Sequence, residues 1–168
     1  DGAAERAVDR QLALIRTADP DIVALQESDT ARIGLNNDDY VRYFAAKLGW
    51  HAWYGPATVA GTFGTAILSR WPIRSPRVSF TFSDTDEIGT AEAEIDVGGR
   101  TFSIYNVHPD GSDAAMLAFA RTLVERAGGR DGVIVLGDFN IREGDEAWPM
   151  LEAAFTEAWA AIYPSRIG

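Results

Sequence analysis

Residues 91–108, AEAEIDVGGRTFSIYNVH, constrain the fold more than any other stretch. Two runs alternate apolar and polar side chains, the pattern of strands with one buried face, and Gly98-Gly99 joins them as a hairpin turn. SDAAMLAFARTLVERAGG follows with helical spacing, Ser112 or Asp113 placed to cap it and Gly128 to end it. Next comes GVIVLGDFN, which opens with an apolar, β-branched run of strand length. Hairpins mixed with alternating strand and helix segments indicate an α/β sandwich and not a purely parallel sheet.

The remaining segments fit that architecture. AAERAVDRQLALIRTA reads as an amphipathic helix, with Val8, Leu12 and Ile15 at helical spacing and Asp19-Pro20 ending it. DIVALQ is a short buried strand closing on Glu27, and residues 28–37 are loop by composition. DDYVRYFAAKLGW is a second helix, with acids in its first turn and Gly49 near its end. HAWYG and GTAILSR are strands divided by a Gly- and Thr-rich turn, RVSFTFS is another, and a short helix lies around DEAWPMLEAAF. A chain of 168 residues suits one domain with a sizeable core, and no apolar run approaches the length of a membrane span. The absence of cysteine excludes disulfides, thiolate catalysis and Cys-ligated zinc.

Three of these strands stop on polar groups: Glu27 after IVALQ, His108 after FSIYNV, and Asp138 with Asn140 after VIVLG. VIVLG reads as a strand buried on both faces, at whose carboxyl end α/β proteins place their chemistry. Period-two alternation puts Asp138 and Asn140 on one side if the chain stays extended, although Gly, Asp and Asn form turns equally well. Each residue alone has an ordinary structural explanation, as a solvated carboxylate, a turn former or a histidine bonded locally beside Pro109. All three strand ends together favour one shared site. Carboxylates with His and Asn suit an oxygen-ligated divalent cation and a phosphoester. Mg2+ takes one or two carboxylates, with water and phosphate oxygens completing its shell. A carboxylate can then orient or deprotonate the attacking water while Asn and His donate to the developing charge. A covalent route has no support: there is no cysteine, no G-x-S-x-G elbow and no Walker loop.

DIVALQES, GTAILSRWPI, IYNVH and VIVLGDFN, in that order over roughly residues 5 to 155, resemble the successive motifs of the endonuclease/exonuclease/phosphatase superfamily. The resemblance implies a sandwich of two mixed β-sheets flanked by helices, and hydrolysis of a phosphoester with Mg2+ or Mn2+ as cofactor. It makes Glu27 the metal ligand. Asp138 and Asn140 match the pair that positions the attacking water and contacts the phosphate, and His108 matches the histidine on the scissile phosphate. A narrower resemblance rests on LQESDTARIGLNNDDYVRYFAAKLGW, YGPATVAGTFGTAILSRWPI and DEIGTAEAEI. These look like the carboxy-terminal domain of the membrane protein that remodels the lipid of GPI anchors. That likeness implies a lipid or glycolipid phosphodiester as substrate, and association with a membrane surface through segments outside this chain.

The chain also departs from the superfamily pattern. Nothing before Glu27 supplies the opening strand with its metal-shell Asn, and the closing strand with its Asp-His pair is missing where the sequence ends at YPSRIG. An Arg expected before IYNVH is replaced, with Thr90 and Glu92 nearby. Residues 1–168 are therefore expected to be one domain cut short at both ends, nearly inactive by itself. A DNA or RNA nuclease of the same fold is one alternative, and a catalytically inactive binding domain another. With 25 acids against 15 bases the net charge is −10, which disfavours a nucleic-acid partner held through phosphate contacts. Arg70, Arg74 and Arg77 come nearest to a basic cluster and read as a solvated edge.

Overall fold

Antiparallel pairing builds most of both sheets in the computed structural model, which describes residues 2–29, 39–56, 63–82 and 87–164. The first sheet has the order β1-β3-β2, from Ile22–Asp29, Phe63–Ser69 and His51–Pro56, with both pairings antiparallel. Helices α1 (Gly2–Ala18) and α2 (Tyr40–Leu48) cover its outer face. Val8 and Leu12 of α1 and Val41 and Phe44 of α2 pack there on Ala66 and Leu68. Asp39 caps α2 by accepting from the Arg42 amide at 2.8 Å, so this acid precedes the first turn instead of lying in it. Gly49 closes the helix in the left-handed region.

The second sheet runs β4-β5-β6-β7, from Ile73–Phe82, Glu87–Val97, Arg100–Val107 and Val133–Gly137. Gly98 and Gly99 both have positive φ, which the tight turn of the β5–β6 hairpin requires. Ser112 caps α3 (Asp113–Ala127), the crossover that returns the chain for β7 to pair parallel with β6. Phe119 and Leu123 of α3 and Leu151 of α4 (Trp148–Ala154) pack against Tyr105 and Val107 on the outer face. Between the sheets lie Ile67, Ala91, Ile95 and Ile104. The approach to this layer is close at Gly55, where a Cβ would come within 2.5 Å of the Ala91 Cβ. A short α5 (Ala158–Ile162) follows.

The expected sandwich of two helix-flanked sheets is what forms; the parallel pair that makes a sheet mixed is β6–β7. Three local expectations change. Strand β1 does not stop before Glu27 but runs through it to Asp29, and only residues 30–37 of the expected loop lie outside the described residues, as does the turn over residues 57–62. Strand β4 starts at Ile73, because the register shift between Arg74 and Arg77 absorbs Pro76, which has no amide to donate. β7 is only partly buried: Val133 and Val135 pack on the α3 side and Leu136 between the sheets, but β6 is its one partner among the described strands and Ile134 is 38% exposed. An apolar run reports strand type and length but not whether a second neighbour covers it.

Glu92 of β5, 2% exposed, points away from the other sheet toward α3. Arg126 grips its carboxylate with two hydrogen bonds of 2.9 Å, Arg77 donates at 2.6 Å and Ser79 at 2.5 Å. Burial pushes the Glu92 carboxyl up, but the bonds from Arg126, Ser79 and Arg77 outweigh it and hold the group below the usual carboxylate value. The contact also raises Arg77. A carboxyl depressed in the folded state stabilises the protein above its unfolded value of about 4.3 and loses that contribution as pH falls through the lower folded value. We expect Glu92→Gln to cost about 2–3 kcal/mol at pH 7, below the usual range for a broken buried pair because both arginines keep access to water. Urea unfolding from pH 7 to pH 3 should show the gap to wild type closing only below about pH 4; a constant gap would contradict the assignment.

Candidate functional site

On β6, Tyr105 and Val107 face α3 while Ile104 and Asn106 face the other sheet. Asn106 is fully buried between the sheets. Its amide nitrogen donates to the carbonyls of Leu25 on β1, at 2.9 Å, and of Ala66 on β3, at 2.8 Å. Its oxygen accepts from Gln26 Nε2 at 2.8 Å. Leu25 and Ala66 are the last regular partners before the β1–β3 register slips, to resume at Ser28 and Gly64. Glu27 sits in that slip with φ 49°, a conformation that costs a non-glycine residue about 1–2 kcal/mol. Its side chain is exposed, and its carboxylate has no hydrogen bond or ion pair among the described residues.

His108 stands one step beyond β6, its side chain 14% exposed and its Nε2 4.0 Å from Asp138 Oδ2. The end of β7 reaches it by a close approach of backbones. Gly137, at φ 143°, would place a Cβ 2.0 Å from the Val107 carbonyl oxygen. Beyond Gly137 the chain turns: Asp138 Oδ1 accepts from the Asn140 amide at 3.1 Å, and Asn140 has φ 49°. The extended geometry expected for this pair is therefore replaced by a side-chain-closed turn. Asn140 Nδ2 donates to the Pro109 carbonyl at 3.1 Å, tying the turn to the segment after His108. His108, Asp138 and Asn140 are thus held together. Glu27 lies in the bulge of β1, and Gln26 and Gly137, its neighbour and that of Asp138, line one groove of about 380 Å3. Leu14, Ile15, Val23 and Leu136 form its apolar wall.

Among the described residues, no three His, Asp or Glu side chains converge as a ready-made metal cage. The donors at this end are two exposed carboxylates and an imidazole. That set fits a hard divalent cation that keeps most of its water and draws further oxygens from a phosphate. Glu92 does not contribute, being turned to α3. The three arginines read as an open edge are each committed to carboxylates. Arg70 pairs with Asp19 and Asp21, Arg74 with Asp96 at 2.9 Å, and Arg77 with Glu92. Sequence reasoning did not assign Asn106 or Gln26. The available signal was an amide two residues before His108, on the face of a strand that is otherwise apolar, since a buried amide must find partners.

The family described as "Endonuclease/Exonuclease/phosphatase family" matches residues 3–167. Protein cwh43 of Schizosaccharomyces pombe is 33% identical over 95 residues, 56% of this chain and 10% of that protein. The chain thus spans about a tenth of the length of this relative. An AP endonuclease from Archaeoglobus fulgidus superposes with a TM-score of 0.71 at 16% identity, covering 95% of this chain and 70% of that one. An endonuclease/exonuclease/phosphatase family protein from Leptotrichia buccalis C-1013-b superposes with a TM-score of 0.69 at 17% identity, covering 92% and 68%.

Backbone geometry gives two expected outcomes. Glu27→Gly should stabilise the protein by about 0.5–1 kcal/mol, because glycine adopts positive φ freely and its entropic cost offsets only part of the gain. A loss of stability in thermal melts would mean that the Glu27 side chain supports the fold. Gly137→Ala should cost about 3 kcal/mol or more, since the added methyl meets backbone and not a movable side chain. A melt within 2 °C of wild type would contradict the close approach of β6 and β7.

Proposed function

The chain belongs to the endonuclease/exonuclease/phosphatase family, and from that premise we propose that it carries a phosphodiesterase site built from Glu27, His108, Asp138 and Asn140. The observation that carries the proposal is the joining of the His108 and Asp138 strand ends, 4.0 Å apart, by an Asn140 bonded to both segments. Glu27 is the cation ligand, its carboxylate exposed and unpaired among the described residues. Asp138, more than half exposed, orients and deprotonates the attacking water. His108 donates to a phosphate oxygen. Asn140 retains one N–H beyond its bond to Pro109 and offers it to the same phosphate. With Glu27 as its ligand, a divalent cation such as Mg2+ or Mn2+ would supply charge neutralisation at the phosphoryl group and the leaving oxygen.

We further propose a lipid or glycolipid phosphodiester as the substrate, presented at a membrane surface. The net charge of −10 and the pairing of Arg70, Arg74 and Arg77 with carboxylates leave no basic track for a nucleic-acid backbone among these residues. The match to Protein cwh43 runs with the narrower resemblance of the sequence to a GPI-anchor remodelling protein. The likeness to an endonuclease, at 16% identity, speaks for the fold and not for DNA.

Two measurements test the site and the substrate separately. Mn2+ at 10 mM should raise the melting temperature by a few degrees, corresponding to about 1 kcal/mol for a Kd in the low millimolar range. Glu27→Gln should abolish that rise and leave the metal-free melt unchanged. An undiminished rise would remove Glu27 from the cation site. In turnover assays with Mg2+, the low residual release of headgroup from a phosphatidylinositol-type lipid should exceed cleavage of single-stranded DNA, and His108→Ala or Asp138→Asn should bring it down to the uncatalysed background. Preferential DNA cleavage would overturn the lipid reading.

A further inference from the structure

We infer that Asn106 is a positioning residue for the cation site, fixing Glu27 relative to His108 from the opposite sheet. The inference rests on the reading of Glu27 as the cation ligand.

The side chain is fully buried in a row that continues through Ile104 and Ala91, where an aliphatic residue would pack without needing a partner. Its polar capacity is nevertheless used. Both carbonyls it bonds, Leu25 and Ala66, belong to the last regular pair before the register slip, so the amide holds the fixed edge from which the bulge departs. Gln26, the first residue past that edge, reaches back to the Asn106 oxygen at 2.8 Å. Glu27, the second, is placed at φ 49° with its carboxylate outward. On the other side, Asn106 lies two residues before His108 on a paired strand, with Leu136 as its register partner on β7, two residues before Asp138. One side chain therefore references both halves of the site to the same point. An aliphatic residue there would leave two carbonyls and the Gln26 amide to find other partners, and the bulge would be free to settle in another register.

A residue that only stabilised the core would change the melting temperature and leave the affinity of the folded protein for a cation alone. The test is Mn2+ binding to the folded chain at 15 °C, read as loss of the free-Mn2+ electron paramagnetic resonance signal. Wild type, Glu27→Gln, Asn106→Asp, Gln26→Ala and the α1 core variant Leu12→Ala are compared. Asn106→Asp keeps the shape but cannot donate both hydrogen bonds, and should weaken Mn2+ binding about tenfold or more, the range seen when groups that orient metal ligands are removed. Gln26→Ala should weaken it several-fold. Leu12→Ala should melt lower and bind as wild type does. If wild type binds and Glu27→Gln does not, while Asn106→Asp and Gln26→Ala are folded and bind as wild type, the inference is overturned and the cation site stands. Wild type without measurable binding would overturn both. Should Asn106→Asp fail to fold, Gln26→Ala decides: weakened affinity supports the inference, and unchanged affinity overturns it.

Discussion

The buried amide of Asn106 is the contact on which this structure depends most. Hydrophobic packing between the sheets is non-directional, and the Ile67, Ala91, Ile95 and Ile104 layer would tolerate a shift of one sheet over the other. Hydrogen bonds to the Leu25 and Ala66 carbonyls permit one register. Each bond contributes about 0.5–1.5 kcal/mol net, but a polar group left unpaired there costs about 1–3 kcal/mol, so the penalty for slippage exceeds the gain from the bonds themselves. The amide acts as a specificity device for the sandwich. The close approach of Gly55 to Ala91 acts in the same direction, since a side chain at that point would hold the sheets apart.

Strain at the candidate site follows from that fixed frame. The described residues include four non-glycine positions with positive φ, and two of them are Glu27 and Asn140. Asn140 is suited to the conformation and gains the Asp138 turn. Glu27 gains no bond among the described residues: its carboxylate is exposed and has no hydrogen bond or ion pair to any of them. A conformation that costs energy and returns no contact is a reason to look for a ligand, because strained residues persist where the surrounding structure over-determines them. The Glu92 cluster is the opposite case. It gathers more charge than the candidate site does, but all of it is satisfied internally by Arg126, Arg77 and Ser79, which makes it a structural network.

Sequence made the architecture legible where local rules dominate. Alternation and the Gly98-Gly99 turn determine the β5–β6 hairpin, and Ser112 and Gly128 bracket α3, because these signals act within a few residues. Long-range facts were out of reach. How completely VIVLG is covered depends on what lies along its open edge as well as on its two faces, which its own residues do not encode. The bulge at Glu27 depends on Asn106, about 80 residues away in sequence, so β1 looked finished at Gln26, short of its end at Asp29. At Asp138 and Asn140 the turn and the site had looked like rival explanations. Instead the turn is how the pair is brought to the His108 segment. Arg70, Arg74 and Arg77 looked like one solvated edge because their acidic partners lie distant in sequence, in the α1–β1 connection for Arg70 and on β5 for Arg74 and Arg77.

The central claim is that Glu27, His108, Asp138 and Asn140 surround one cation and one phosphate. Paramagnetic broadening of backbone amide signals by substoichiometric Mn2+ tests this most directly, because the effect falls steeply with distance from the ion. The account predicts that the amides of Gln26–Ser28, His108 and Gly137–Asn140 broaden first and together, and that inorganic phosphate sharpens the selectivity for this set. Broadening centred on another acidic surface, or on the Glu27 segment with the His108 and Asp138 segments untouched, would contradict it.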